Sequence, residues 1–253
     1  MKKFILSFIF CFAIDAKAFV VLVDPGHGGK ELGAVSYIVK KINGKKETIK
    51  IYEKDLALKL GKLIKEKLSE HFTVYLTRSF DSTVGLQERA DLADTVKADL
   101  FISIHFNSSK NRKSHGFETF YLDNHDDQAV QKVERIENKS LDGADKIINQ
   151  ILIDLAVKKT AKQSRTVATS IHQEIKKAVE KRFRIKDRGV KPSLFYVLAL
   201  SKRPGILLEA GFMSNPSEVF QIKSDNYLEV YAEAVVKGVK QYYDSQPKRL
   251  PLF

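Results

Sequence analysis

Four side chains able to do metal-assisted acid–base chemistry stand at the ends of apolar runs or at a helix start: His27, Glu53, His105 and Glu209. Val20-Val21-Leu22-Val23-Asp24-Pro25-Gly26 delivers His27 into Gly28-Gly29, and Leu100-Phe101-Ile102-Ser103-Ile104 delivers His105. Two imidazole nitrogens and one carboxylate oxygen form the donor set of catalytic zinc sites that leave a fourth position for water. An all-oxygen shell would suit magnesium or calcium instead. Glu53 lies 26 residues after His27, and His105 another 52 on. The compact helical pair of metal-binding histidines is therefore absent, and the set depends on strand ends converging. Glu209 closes the run Ile206-Leu207-Leu208, where an ionised group is costly unless paired or used. A zinc hydrolase needs such a carboxylate to move a proton. Each residue also has a plainer alternative: an ordinary loop histidine at 27, a dipole partner at 53, a structural ion pair at 209. Glu47 competes with Glu53 as ligand.

The elements that must position these residues follow from periodicity. The β-branched run Val20–Val23, cut off by Pro25 and Gly26, reads as a buried strand, and its glycines free the backbone around His27. Residues 36–52 suggest a turn or small hairpin around Asn43-Gly44. Leu56, Leu60, Leu63, Ile64 and Leu68 mark a helix that begins at Glu53. Further strands are expected over 72–78, 99–107, 116–122, 191–198 and 206–212, with helices around 86–96 and 228–242. Between about 125 and 184 the chain is charged and helical, with apolar spacing at Ile147, Ile148, Ile151, Leu152 and Leu155 and again at Val167, Ile171, Ile175 and Val179. That predicts two packed helices. Strands alternating with helices make the class α/β, in a single domain from 19 to 245 with a loose tail from 246 to 253.

A length of 253 residues with 43% hydrophobic content supports one sizeable core. Met1-Lys2-Lys3, the apolar Phe4 to Ile14 and Ala16-Lys17-Ala18 have the pattern of a secretory signal peptide, residues 1–18, cut after Ala18. The apolar stretch is too short to span a bilayer, which takes about 20 residues, so no membrane span is expected after cleavage. The single cysteine, Cys11, lies inside that leader, so any metal site in the mature chain uses histidine and carboxylates. The net charge of +12 is still +10 without the leader, whose Lys2, Lys3 and Lys17 outweigh Asp15 by 2. A basic exported chain suits a cell wall or an anionic surface, with the periplasm as compartment, otherwise the extracellular side or the wall. Export and the lack of any arginine/aromatic recognition motif argue against nucleic acid.

Val23-Asp24-Pro25-Gly26-His27-Gly28-Gly29, Glu53-Lys54-Asp55, Leu76-Thr77-Arg78, Ser103-Ile104-His105-Phe106-Asn107 and Leu208-Glu209-Ala210-Gly211-Phe212-Met213-Ser214-Asn215 resemble the zinc-dependent N-acetylmuramoyl-L-alanine amidases of septal peptidoglycan, in order and wording, across residues 19–243. The resemblance implies a mixed, mostly parallel six-stranded sheet flanked by helices, and one zinc ion held by His27, Glu53 and His105. It implies Glu209 as catalytic acid/base, and cleavage of the amide between N-acetylmuramic acid and the L-alanine of the stem peptide during wall remodelling and daughter-cell separation. It further implies an autoinhibitory helix in the 125–184 insert, with Glu137 as blocking zinc ligand and Glu134 in reserve. Ile151 to Leu155 would respond to an activator protein. Gly28 and Gly29 would form a low-walled rim for a bulky polymer. Two alternatives accompany this reading: a non-catalytic wall-binding or regulatory protein on the same fold, and a zinc carboxypeptidase or deacetylase acting on the wall.

Overall fold

A computed structural model describes residues 18–42, 44–138 and 145–247. The leader up to Lys17 with its Cys11, Asn43 of the turn, and the tail from 248 on lie outside the described residues. Strand β1 (Val20–Pro25) is buried throughout and pairs in parallel with β4 (Thr73–Leu76) and β5 (Leu100–Asn107). The remaining sheet strands are β6 (Phe117–Leu122), β7 (Asp187–Ser193) and β8 (Gly205–Phe212), in the order β4-β1-β5-β8-β6-β7. Every neighbouring pair is parallel except β8 and β6, so the sheet is mixed and mostly parallel as expected. The hairpin of β2 (Val35–Ile42) and β3 (Lys45–Tyr52) stands apart and leads directly into helix α1 (Glu53–Leu68).

Two cores sandwich the sheet. On one face Leu56, Leu60 and Ile64 of α1 and Leu228, Val235 and Val239 of α7 (Asp225–Ser245) pack against Val21, Ile102 and Leu208. On the other face, Ala93 of α2 (Leu86–Thr95), Val130 of α3 (Gln128–Glu137) and Leu198 of α5 (Tyr196–Ser201) meet Leu22, Phe101 and Leu207. A short α6 (Pro216–Ile222) follows β8, with Asn215 capping its first turn. Among the described residues no helix is long and apolar enough to cross a membrane.

Two expectations are corrected. The two apolar stretches read as separate packed helices belong to one continuous helix, α4 (Asp145–Phe183). Ile153, Ala156 and Val157 of α4 enter the core on the α3 side, whereas Val167, Ile171, Ile175 and Val179 enter the core on the α1 side. The helix crosses at the start of β8, where Ser164 Oγ accepts the Gly205 amide at 3.1 Å. The apolar stripe changes partner, not direction. Residues 191–198 are also not one strand: β7 ends at Ser193, and the chain turns into α5. A short apolar run such as Leu194–Leu198 reads equally as strand or buried helix. Pro192, which cannot donate to a ladder, sits on the edge strand where its missing N–H costs nothing.

The β1 end depends on two buried arginines. Asp24 is 1% exposed, pairs with Arg89 Nη1, and accepts from Thr77 Oγ1 at 2.7 Å and Ser103 Oγ at 2.8 Å. Burial alone would push its carboxyl up, but Arg89 and these donors hold it below the usual value. Arg89→Met strands that carboxylate, and is expected to lower the unfolding free energy in urea by about 3–5 kcal/mol at neutral pH. The depressed carboxyl contributes stability above its unfolded value and loses it on acidification. The gap between wild type and variant therefore narrows below about pH 4.

Candidate metal centre and acid/base site

The carboxyl ends of β1 and β5 and the start of α1 converge at one edge of the sheet. Beyond β1 the chain turns through His27, whose left-handed φ of 56° a non-glycine residue holds only when the surroundings impose it. Arg78 donates to the carbonyls of Pro25 at 3.0 Å and Gly26 at 2.8 Å, and Arg89 to those of Pro25 and His27 at 2.9 Å. Glu53 opens α1 without a side-chain cap; instead the Ala34 carbonyl accepts its N–H at 2.9 Å. In return Glu53 Oε2 accepts from the Ala34 amide at 2.7 Å, and Oε1 from the Phe106 amide at 3.0 Å. The carboxylate is thus tied to both the hairpin entry and β5.

His27 Nε2 and His105 Nδ1 lie 3.1 and 3.2 Å from Glu53 Oε1, with their rings 4.9 Å apart and nearly perpendicular. Glu137, the last residue of α3, brings Oε2 to 3.1 Å from His105 Nδ1 and 3.7 Å from His27 Nε2. The donor atoms of His27, Glu53, His105 and Glu137 all lie within 4.8 Å of one another. His27 Nε2 is buried, with Glu53 Oε1 at 3.1 Å and no well-directed hydrogen bond to it. Burial pushes its imidazole down, but the Glu53 carboxylate outweighs burial and raises it to about 9. Two carboxylates around two imidazoles call for positive charge at the centre, which a divalent cation supplies better than a proton.

Glu209 stands beside His105 in the β5–β8 register and is 1% exposed, with Oε2 lacking any partner in the described structure. Burial, reinforced by Glu53 and Glu137, pushes its carboxyl up. A cavity of about 310 Å³ opens over this edge, lined by Gly26, His27, Gly33, His105, Ile136 and Glu137 among others. The geometry demands two glycines: an added Cβ would fall 2.4 Å from the His105 ring at Gly26, and 2.5 Å from Glu53 Oε2 at Gly33, whose φ is 66°.

Three expected placements do not hold. Glu47 lies on exposed β3 opposite Lys40, away from the donors. Glu134 is turned away from the site: its Oε1 meets His125 Nε2 at 2.6 Å and the Leu194 amide at 2.5 Å. Gly28 and Gly29 do not form an open rim, because a Cβ on either would strike Ser82 or Thr83 at 2.2 Å. Arg89 and Gly33 escaped notice. Arg89 had left one signal, a charge on the same helical stripe as Leu86 and Ala93.

A largely buried donor cluster beside an unpartnered carboxylate, at the carboxyl edge of a mostly parallel sheet, defines an α/β protein with a candidate metal centre suited to hydrolysis. The chain belongs to the N-acetylmuramoyl-L-alanine amidases (Amidase_3), whose family signature matches residues 21–241. It is 30% identical over 234 residues to the N-acetylmuramoyl-L-alanine amidase AmiA of Escherichia coli, covering 88% of this chain and 76% of that one. It is 31% identical over 225 residues to an uncharacterised Bacillus subtilis protein, YqiI, covering 88% and 84%. The fold matches the crystal structure of an N-acetylmuramoyl-L-alanine amidase from Clostridium difficile with a TM-score of 0.66 and 32% identity, over 91% of this chain and 99% of that one. It matches AmiC2 of Nostoc punctiforme with a TM-score of 0.65 and 28% identity, over 89% and 97%. The chain is therefore a peptidoglycan amidase of cell-wall remodelling, which sets aside the carboxypeptidase, deacetylase and non-catalytic alternatives. Gly26→Ala, which crowds the His105 ring, is expected to cost about 1–3 kcal/mol of stability in urea unfolding.

Proposed function

We propose that His27, Glu53 and His105 hold one zinc ion and that Glu209 is the acid/base of amide cleavage. The observation that carries this is the convergence of three donor atoms from separate elements, with the unpartnered Glu209 Oε2 on the strand beside His105. Zinc bound by such donors polarises an amide carbonyl and lowers the pKa of its water to about 7. The chain's own part is to fix the donors and move the proton. Glu209 takes a proton from the attacking water at Oε2 and returns it to the departing alanine nitrogen, while its burial favours holding that proton between the two transfers.

We also propose that Glu137 is a blocking ligand carried by α3. Its neighbours hold the helix in place: Asn138 Nδ2 donates to the Leu194 carbonyl at 3.0 Å, and Asn138 Oδ1 accepts the Tyr196 amide at 2.9 Å. With Glu134, these bonds seat α3 on the turn between β7 and α5. The removable part of the 125–184 insert ends before Val167, since the later residues of α4 belong to the central core. Ile151 and Leu155 are 62% and 59% exposed, whereas Ile153 between them is buried, which leaves an apolar edge for an activator protein to grip. The leader and basic charge support export, with the periplasm as working compartment.

His105→Ala and Glu53→Ala are expected to lower zinc affinity by well over about tenfold, the loss seen when only a group behind a ligand is removed. Glu47→Gln leaves it unchanged; competition with a chelating dye measures all three. Glu209→Gln should keep zinc and release no stem peptide from purified sacculi, and full turnover by that variant would sink the acid/base assignment. Glu137→Gln should raise basal sacculus lysis about tenfold or more without any partner protein, as losing one contact worth about 1.4 kcal/mol does. Unchanged lysis would leave α3 a purely structural helix.

A further inference from the structure

The strip of sheet that carries the site continues past Glu209. On β6, Glu118 stands directly opposite Glu209 in the antiparallel register, and on β5 His105 is the register partner of Glu209. These three side chains share one face. Glu118 is 2% exposed and is held from one side by Asn107 Nδ2 at 2.6 Å. From the other side come two cations of β7, Arg188 through Nε at 3.2 Å and Lys191 through Nζ. Two positive charges share the Glu118 carboxylate at the far end of the strip, with Asp127 also in the field of Lys191.

Arg188 is rigid along its length. Its guanidinium lies over the Phe212 ring, 5.0 Å from the centroid, and its Cγ and Cδ pass 2.8 Å from where a Cβ on Gly116 would sit. Among the described residues only its Nε has a hydrogen-bond partner, and the side chain is 30% exposed, so Nη1 and Nη2 form an open planar fork. Glu218 also lies in its field, but that carboxylate already accepts the amides of Phe212 and Gly116 at 2.9 Å. A stiff guanidinium with a free fork and an ammonium beside it is built to receive a carboxylate.

Resting on the amidase reading above, we propose that Arg188, supported by Lys191, binds the first free carboxylate of the stem peptide, on its second residue, and lays the peptide across β8 and β6. Strands are about 4.8 Å apart, so β7 lies about 10 Å beyond β8. That is the reach of about three extended residues, and the Arg188 side chain shortens it by leaning back to Glu118. A substrate anchored there places its muramyl end at His27 and His105, with the amide beside Glu209.

The test uses the zinc-loaded full chain carrying Glu137→Gln and two muramyl tetrapeptides, with the α-carboxylate of the second residue either free or amidated. The parent should show a KM about tenfold higher for the amidated peptide, the order expected for one charge-assisted hydrogen bond. Arg188→Ala should raise KM for the free-carboxylate peptide by about the same factor, leave kcat near the parent value, and leave the amidated peptide unchanged. Arg188→Lys should recover part of the preference. A parent indifferent to amidation, or a variant equally impaired on both peptides, overturns the proposal. Binding of the same two peptides, fluorescein-labelled, to the Glu137→Gln/Glu209→Gln chain reads the preference without turnover. Selective binding there with no cleavage by the parent counts against the amidase reading alone; binding without selectivity counts against Arg188.

Discussion

The structure depends on two guanidinium groups holding a piece of backbone that no strand can hold. Past Pro25 the Gly26 amide makes the last bond to β5, and the carbonyls of Pro25, Gly26 and His27 turn to side chains instead of the sheet. Arg78 and Arg89 satisfy all three, and Asp24 neutralises Arg89. An unpaired carbonyl or carboxylate in that position would cost more than the loop could recover from its own contacts. The left-handed turn at His27 follows from that clamp, as does the direction of its imidazole.

The second constraint is charge. Glu53, Glu209 and Glu118 crowd one edge of the sheet, and each is dealt with differently. Glu53 spends both oxygens on backbone amides and faces two imidazoles. Glu118 takes two cations and an amide. Glu209 is left without a partner at Oε2 and is pushed toward its neutral form. Neighbouring carboxylates with such different surroundings have their protonation pushed apart, which is the condition for the separate roles proposed for them.

Much of this was legible in the sequence where one residue's type and place sufficed. His27, His105 and Glu209 end apolar runs, and Glu53 begins a periodic helix, so strand ends and a helix start were enough to bring them together. Glu137 came from likeness to a family, because nothing in its own surroundings distinguishes it from Glu134 three residues earlier; the fold separates them by giving Glu134 to His125 and Leu194. What stayed hidden was relational. That α4 serves two cores cannot be seen from a stripe that looks the same whichever layer it touches. Arg89 looks like a helix-surface charge until Asp24 is placed beneath it, and Gly28 and Gly29 look open until Ser82 and Thr83 cover them.

The sheet order has a consequence for how the molecule comes into being. β8 is the last strand in sequence, yet it lies between β5 and β6 near the centre of the sheet. A chain that emerges from its amino end has His27, Glu53 and His105 long before it has Glu209. A truncated chain can thus carry every proposed ligand while lacking Glu209, and the strand that completes the sheet is the one that brings the proposed proton carrier to its centre.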